Sequence, residues 1–142
     1  MELEVDTDLK KLQNGSDIRG VAIATGKEQA NLTPVTAFLF GKAFALWLAD
    51  KHNCNPSKLM IAVGNDSRIT AEPLREGLIC GIKSAGASAK NFGLASTPAM
   101  FMSTVMKEFS CAGSVMITAS HLPYNRNGFK FFTSEGGLEK ND

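Results

Sequence analysis

Short apolar runs alternate along this sequence with longer segments whose apolar residues recur at helical spacing, and this alternation constrains the fold. Residues 59–63 (LMIAV) form the clearest run, which is typical of a strand buried on both faces. Weaker strand patterns cover residues 17–23, 87–92, 114–119 and 128–133, and helical segments separate all but the last two strands. This order predicts an α/β fold with a mostly parallel sheet.

The last two strand patterns, residues 114–119 and 128–133, are too close in sequence for a helical crossover. Parallel neighbours need a connection of about a dozen residues or more, so these strands are expected to run antiparallel. We therefore predict a three-layer α/β/α fold whose sheet is mixed, mostly parallel and about four strands wide. The domain is expected to cover residues 15–138, after a flexible segment at 1–14 and before a linker that starts at 139–142.

The three helices are expected to start at threonines. Thr33 and Thr97 each precede a proline, which suits an N-cap followed by the first helical position, and Thr70 precedes an acidic first turn. Apolar spacing predicts the buried faces, which are Leu74, Leu78, Ile82 and Ala85 in the second helix and Phe101, Val105 and Phe109 in the third.

Composition limits the classes of partner. The net charge is +1, no block of basic residues stands out, and no segment has the length and hydrophobicity of a membrane span. We therefore expect neither a nucleic acid nor a membrane as partner. Cys54, Cys80 and Cys111 are odd in number and far apart, which favours reduced thiols over disulfides or a metal site. The chain is expected to be cytoplasmic, with a plastid left open.

Residues 118–130 (TASHLPYNRNGFK) carry the candidate chemistry. Ser120 and His121 follow an apolar run, at the kind of strand end where α/β folds bind ligands, and Lys130 lies on the next strand. A serine hydroxyl needs a base or a cluster of charges to act as a nucleophile. Lys130 and Arg126 could neutralise a phosphate on the serine. The alternative is that Ser120 only turns the chain.

His121 and Lys130 also allow two interpretations each. Imidazole titrates near neutral pH, so His121 suits proton transfer, and the alternative is a loop histidine bound to a carbonyl group. Lys130 alternates with Phe129 and Phe131 and should face away from them. It is either a general base or phosphate ligand, or part of a solvated strand face.

The sequence Thr-Ala-Ser-His-x-Pro at residues 118–123 resembles the phosphoserine loop of the α-D-phosphohexomutases, the phosphoglucomutase/phosphomannomutase family. Two more stretches resemble family motifs in the same order. One is Asp-Ile-Arg-Gly, which contains Arg19, and the other is the turn Gly-Asn-Asp-Ser-Arg, which contains Arg68. Asn65 stands where the family usually has arginine, and Leu122 stands where asparagine is most common. The alternative for Arg68 is an ion pair with Asp66 that ties the turn to the second helix.

The resemblance implies a function and a set of site residues. Ser120 would carry the phosphoryl group that is exchanged with a hexose phosphate through a hexose 1,6-bisphosphate, with His121 and Lys130 managing protons. Mg²⁺ would be held by the phosphate on Ser120 together with ligands from a further domain. The expected partners are hexose phosphates, the bisphosphate and the remaining domains of a longer chain, without which this chain is expected to be inactive. The substrate- or phosphate-binding residues would be Arg19, Arg68 and Arg126.

Two other functions remain open from the sequence. A serine hydrolase would use Ser120 as nucleophile and His121 as base, although the sequence has no Gly-x-Ser-x-Gly elbow. A phosphosugar-binding module without chemistry would bind its ligand even when Ser120 is replaced by alanine.

Overall fold

The computed structural model describes residues 8–142, which form three α-helices and one seven-stranded sheet. The α-helices are α1 (Pro34–Lys51), α2 (Ala71–Ser84) and α3 (Thr97–Val105), and two short 3-10 helices cover Leu9–Leu12 and Pro56–Lys58. The strands are β1 (Gln13–Asn14), β2 (Asp17–Val21), β3 (Met60–Asn65), β4 (Ser88–Leu94), β5 (Gly113–Ile117), β6 (Arg126–Thr133) and β7 (Gly136–Gly137).

The sheet is mixed, as the sequence predicts, and has more strands than the four expected. Only two of the six strand pairs in residues 8–142 are parallel, so the sheet is not mostly parallel as expected. Its order is β1-β2-β6-β5-β3-β4, and β7 pairs with β6. The β3 strand is parallel to β4 and β5, whereas β5 and β6 run antiparallel, as their short connection requires. The other pairings, of β1 with β2, β2 with β6 and β6 with β7, are antiparallel as well. The additional strands β1 and β7 have two residues each, too few to show a period in the sequence.

The helices cover the sheet on both faces and give the three expected layers. On one face α1 and α2 pack against each other at close range, because a side chain at Gly41 or Gly81 would collide with a carbonyl oxygen of the other helix. The core on this side includes Val63 and Leu78, both fully buried. On the other face α3 contributes Met100 to a smaller core.

The helix starts were predicted closely, but the caps differ in detail. Thr33 caps α1 as expected, with its hydroxyl accepting from Thr36 N–H at 3.3 Å. Thr70 precedes α2 but forms no cap hydrogen bond, because its backbone is helical (φ −86°, ψ −2°) rather than extended. Its hydroxyl instead accepts from Nδ2 of Asn127 at 2.9 Å. The α3 helix is capped by Ser96, one residue before the expected Thr97.

The predicted buried face of the second helix is confirmed for three of its four residues, whereas that of the third is confirmed only in part. Leu74, Leu78 and Ile82 of α2 are all buried, and Ala85, which follows the last helical residue, is partly buried against the same core. In α3 the fully buried residues are Met100 and Ser103, and Val105 is half exposed. Phe101 is partly buried against the smaller core, and so is Phe109, which lies beyond the end of the helix. Apolar residues surround α3 on several sides, so its spacing could not indicate which side would face the sheet.

The first described residues are packed on the domain. Residues 1–7 of the segment expected to be flexible lie outside the described residues. Within the rest of that segment, Leu12 is 1% exposed and β1 pairs with β2. None of the helices in residues 8–142 has the length and hydrophobicity to cross a membrane.

The parallel strands β3 and β5 place two loops side by side. Asn65 and Ile117, the last residues of these strands, are register partners. The turn that follows β3 therefore lies beside the loop that follows β5 and carries Ser120. This adjacency at the carboxyl-terminal edge of the sheet builds the candidate site.

Candidate active site

Residues 118–125 join β5 to β6 and present Ser120 to solvent at the edge of the sheet. Ser120 has a φ of 55°, in the left-handed region that non-glycine residues rarely adopt. Such a conformation costs free energy and persists where the surrounding structure holds it. The contacts that hold it come from Thr118 and from the turn after β3.

Thr118 links the serine backbone to Asp66 through two hydrogen bonds. Ser120 N–H donates to Oγ1 of Thr118 (3.0 Å), and the Thr118 hydroxyl donates to Oδ2 of Asp66 (2.7 Å). Asp66 is itself fixed by its N–H, which donates to the carbonyl oxygen of Ile117 at 3.1 Å. A hydrogen bond to a carboxylate is stronger than one between neutral groups, so this chain of contacts anchors Ser120 to the end of β3.

Arg68 holds the serine loop from its backbone side. Its side chain is 13% exposed, and its two Nη groups donate four hydrogen bonds to main-chain carbonyl oxygens of the loop. We call these four contacts the Arg68 clamp. The acceptors are Pro123 (2.8 Å) and Arg126 (3.1 Å) for Nη1, and Ser120 (2.8 Å) and Leu122 (2.8 Å) for Nη2. Because the Nη groups carry four hydrogens in total, the clamp uses all of them.

Arg68 contacts both the serine loop and Asp66. The residue does reach the serine loop, and its Nε also lies 3.5 Å from Oδ2 of Asp66, the ion pair given as the alternative. In this conformation its partners are carbonyl oxygens and a carboxylate. A contact between Arg68 and a phosphate, which the family resemblance implies, would require the clamp to open.

His121 is the group that lies against the candidate nucleophile. Its Nδ1 is 3.4 Å from Oγ of Ser120, and both side chains are exposed. The distance is at the long end for a hydrogen bond, so the pair is a loose contact. The six ion pairs within residues 8–142 do not include His121, so no described carboxylate orients its ring.

Lys130 and Arg19 share one carboxylate, that of Asp17. Lys130 Nζ lies 3.4 Å from Oδ1, and Arg19 Nη2 lies 3.3 Å from Oδ2. Lys130 does face away from Phe129 and Phe131, which belong to the core under α1. The structure thus brings together two of the predicted cations, on the face of the sheet opposite α1.

Gly128 makes room for this arrangement. Its register partner on β2 is Arg19, and its carbonyl oxygen accepts a hydrogen bond from Thr118 N–H at 3.0 Å. A side chain at position 128 would collide with the carbonyl oxygen of Ile18 and press on Cγ of Arg19. The missing side chain therefore lets the stem of Arg19 lie across β6, between Lys130 and the serine loop.

Arg126 lies at the other side of the serine loop and is paired as well. Its Nη2 contacts Oε1 of Glu28 at 2.6 Å, with both side chains partly exposed. The long connection that carries Glu28 is also fixed to the loop by Ala22 and Ile23, whose N–H groups donate to the carbonyl oxygen of Asn125. Ala22, Ile23 and Glu28 thus lie against the end of the serine loop.

Asn65, which stands where the family usually has arginine, forms a hydrogen bond that the sequence did not indicate. Asn65 is 7% exposed, and its Oδ1 accepts a hydrogen bond from Nη1 of Arg75 in α2 at 2.5 Å. Its Nδ2 donates to the carbonyl oxygen of Asp66 at 2.8 Å. Asn65 therefore braces the turn that carries Asp66, with a guanidinium supplied by the following helix.

Sequence reasoning missed Thr118, Asp17 and Glu28 as contributors to the site. A hydroxyl two residues before Ser120 at a strand end was a usable signal for Thr118. Asp17 stands two residues before Arg19 on the same strand, so the two side chains share a face. Nothing in the sequence joins Glu28 to Arg126, which is 98 positions away.

The described residues do not by themselves fit a magnesium ion. Within residues 8–142 no group of three or more His, Cys, Asp and Glu side chains is placed to hold a metal. Mg²⁺ prefers carboxylate and phosphate oxygens. The carboxylate of Asp66 is engaged by Thr118 and Arg68, and that of Asp17 by Lys130 and Arg19.

The fold and this loop define an α/β/α domain that presents a serine at the carboxyl-terminal edge of a mixed sheet, with Arg68 bound to the loop backbone and further cations on the strands β2 and β6. Residues 10–142 match the model of the phosphoglucomutase/phosphomannomutase family, alpha/beta/alpha domain I. The chain belongs to this family, as the sequence resemblance indicates.

The chain is also similar to individual members of the family. It is 41% identical over 123 residues to a phosphoglucosamine mutase of Staphylococcus epidermidis, covering 86% of this chain and 25% of that protein. The phosphoglucosamine mutase of Caldicellulosiruptor bescii is 38% identical over 126 residues, covering 89% of this chain and 25% of the relative. This chain therefore spans about a quarter of the length of these curated relatives.

A solved structure shows the same fold. The phosphoglucomutase/phosphomannomutase family protein from Burkholderia thailandensis superposes with a TM-score of 0.69 at 23% identity. The superposition covers 86% of this chain and 26% of that one.

Proposed function

We propose that this chain is the phosphoserine-bearing first domain of a phosphohexomutase, in which Ser120 passes a phosphoryl group to and from a hexose phosphate. The observation that carries the proposal is the strained backbone of Ser120, held by Thr118 and the Arg68 clamp in an exposed loop. Ser110 has a similar φ of 51°, so the argument depends on the two neighbouring elements that hold Ser120 and on its exposure beside His121.

The proposed transfer uses the side chains of this chain as follows. The bond between phosphorus and Oγ of Ser120 breaks, and a bond forms between phosphorus and a hydroxyl oxygen of the hexose monophosphate. The proton of that hydroxyl passes to Oγ, and His121, at 3.4 Å from Oγ, is the group proposed to carry it. A bisphosphate results, and transfer of its other phosphoryl group back to Ser120 completes the isomerisation.

The cations are proposed to stabilise the transferred group. Phosphoryl transfer depends mainly on positioning and on neutralising the oxygens, and Lys130, Arg19 and Arg126 stand around the serine loop for that task. Arg68 is proposed to act through the loop backbone, as a positioning residue. A phosphate on Ser120 would supply one oxygen ligand to Mg²⁺, and the other ligands would come from outside this chain.

The names of the relatives suggest the substrate class. Relatives that are 38% to 41% identical over most of this chain are phosphoglucosamine mutases, so we propose a glucosamine phosphate as the hexose phosphate. The sugar is expected to be recognised mainly outside this chain, which is therefore proposed to be inactive alone. A cytoplasmic location is part of the same proposal.

The test uses the longer protein that would contain this chain, beside its Ser120→Ala variant. Incubation with a hexose 1,6-bisphosphate should add one phosphoryl group to the wild type, on the peptide that contains Ser120, and none to the variant. Mutase turnover should be lost in the variant. Phosphosugar binding that survives in the variant, with no phosphorylation of the wild type, would favour a binding module. Labelling of Ser120 by a fluorophosphonate would favour a hydrolase.

A further inference from the structure

Asp17 is the most enclosed acidic group beside the candidate site. Its side chain is 16% exposed, and its two oxygens contact one cation each, Lys130 and Arg19. We propose that Asp17 occupies these two cations when no phosphate is present, and that a phosphate entering the site displaces it. The inference deepens the proposed function, because it rests on Lys130 and Arg19 as phosphate ligands.

The cation pair, Lys130 and Arg19, lies on the same face of the sheet as Thr118, two residues before Ser120. Arg19 is opposite Gly128 and Lys130 is opposite Met116, so both project on the face that also carries Thr118. Thr118 in turn binds the backbone N–H of Ser120. Thr118, two residues after the register partner of Lys130, therefore connects the cation pair to the serine loop.

The contacts of Asp17 are weak enough to be exchanged. Charge-assisted N–H···O hydrogen bonds are typically about 2.7 to 2.9 Å long, whereas these contacts measure 3.3 and 3.4 Å. Each cation also keeps about a quarter to a third of its side chain exposed to solvent. Both observations place the pair within reach of an incoming ligand.

A phosphate is the stronger partner for the same two groups. A carboxylate brings one negative charge, whereas a phosphate monoester carries about 1.5 to 2 negative charges and three acceptor oxygens. The trio of one carboxylate and two cations keeps one positive charge uncompensated. Phosphate binding would neutralise Lys130 and Arg19 more completely and would release the carboxylate of Asp17.

Such an exchange would make the affinity of the site depend on the charge of the anion. A weakly charged anion would have to compete with Asp17 for the cations, whereas a phosphate that is also held elsewhere, by Ser120 or by a sugar, would win. Asp17 would thus lower the occupancy of the site by free phosphate and would keep Lys130 and Arg19 oriented while Ser120 carries no phosphoryl group.

The experiment uses inorganic phosphate as the probe and three forms of the chain. These are the wild type, Asp17→Asn, and Asp50→Asn as a control. The control makes the same change in net charge at an exposed position near the carboxyl end of α1. Affinity is measured by NMR titration, from the side-chain signals of Lys130 and Arg19.

We expect Asp17→Asn to bind phosphate about threefold to tenfold more tightly than the wild type, because a competing negative charge is gone. Asp50→Asn should match the wild type. Unchanged or weaker binding by Asp17→Asn would overturn the inference, as would the absence of binding in every form. The signals of residues remote from the site report whether each variant is folded.

A second measurement needs no substitution at Asp17. The carboxyl carbon signal of Asp17 in the wild type should shift as phosphate is added, and its failure to move while Lys130 and Arg19 respond would also overturn the inference. The same titration on Ser120→Ala should give the same result. Failure to phosphorylate Ser120 in the longer protein would then contradict the proposed function without touching this exchange.

Discussion

Arg68 donates a hydrogen bond from Nη2 to the carbonyl oxygen of Ser120 at 2.8 Å, although the two residues are 52 positions apart. The contact joins the turn after β3 to the loop after β5 and is one of the four that make up the Arg68 clamp. Because a planar guanidinium fixes the directions of its donors, it holds several carbonyl oxygens in a defined arrangement at once.

Arg68→Lys should therefore release the serine loop although it conserves the charge. An ammonium group has three donors and no fixed plane, so it cannot replace the four contacts. We expect the free energy of unfolding to fall by about 1 to 3 kcal/mol, since four hydrogen bonds from a charged group are lost and two of them are partly buried. Urea denaturation measures this loss, and amide exchange should quicken in residues 118–125.

Arg126→Lys is the matched control for Arg68→Lys. Arg126 pairs through its side chain with Glu28 near the surface, and such pairs contribute about 1 kcal/mol or less. Equal losses from the two substitutions would contradict the clamp.

Thr118→Val should loosen the serine backbone without changing the shape of the side chain much. The substitution removes the acceptor for Ser120 N–H and the donor to Asp66, so we expect a loss of about 1 to 2 kcal/mol in the free energy of unfolding. Thr118→Ser keeps the hydroxyl and should retain most of the stability. Thermal unfolding of the pair separates the hydroxyl from the methyl group, and a larger loss in the serine variant would disprove the role given to the hydroxyl.

The cysteines should differ widely in reactivity. Burial raises the pKa of the Cys111 thiol, with Lys90 opposing the shift, and the residue is 5% exposed, whereas Cys80 is exposed. Since the thiolate is the reactive form, a disulfide reagent at pH 8 should label Cys80 quickly and Cys111 only as the chain unfolds. Removal of Cys80 by Cys80→Ser should leave the slow phase intact. Fast labelling of Cys111 in the native chain would contradict its burial.

The Lys51–Glu135 pair should give a small dependence of stability on pH. The hydrogen bond from Lys51 Nζ to Oε2 of Glu135 (2.7 Å) lowers the pKa of Glu135 and raises the pKa of Lys51. The contribution of Glu135 is present above its unfolded pKa and is lost as the pH falls through its folded pKa. The contribution of Lys51 is present below its unfolded pKa and is lost as the pH rises through its folded pKa.

Glu135→Gln should therefore flatten both the acidic and the alkaline limbs of the stability profile relative to the wild type. The effect should shrink at high salt, because the pair is exposed and screened. Glu139→Gln serves as the control, since Glu139 forms no ion pair among residues 8–142. Denaturant midpoints measured across the pH range test this, and identical profiles for Glu135→Gln and the wild type would contradict it.

Local patterns account for what the sequence could predict. The start of α1 follows from Thr33 and Pro34, and the buried face of α2 follows from clear apolar spacing. The face of α3 could not be predicted because its apolar residues surround the helix. The partners of Arg68 could not be predicted either, since main-chain carbonyl groups occur at every position and leave no mark in the sequence.

The left-handed backbone at Ser120 matters for anyone who redesigns this domain. Asn53 and Ser110 have similar φ values of 48° and 51°, and glycine would relieve backbone strain at all three positions, least at Asn53 because asparagine tolerates this region. A screen that selects for thermal stability and does not measure activity would accept glycine at all three positions. At Asn53 and Ser110 the gain in stability would leave the proposed phosphoryl transfer unaffected. At Ser120 the same substitution would stabilise the domain and remove the hydroxyl that is proposed to carry the phosphoryl group.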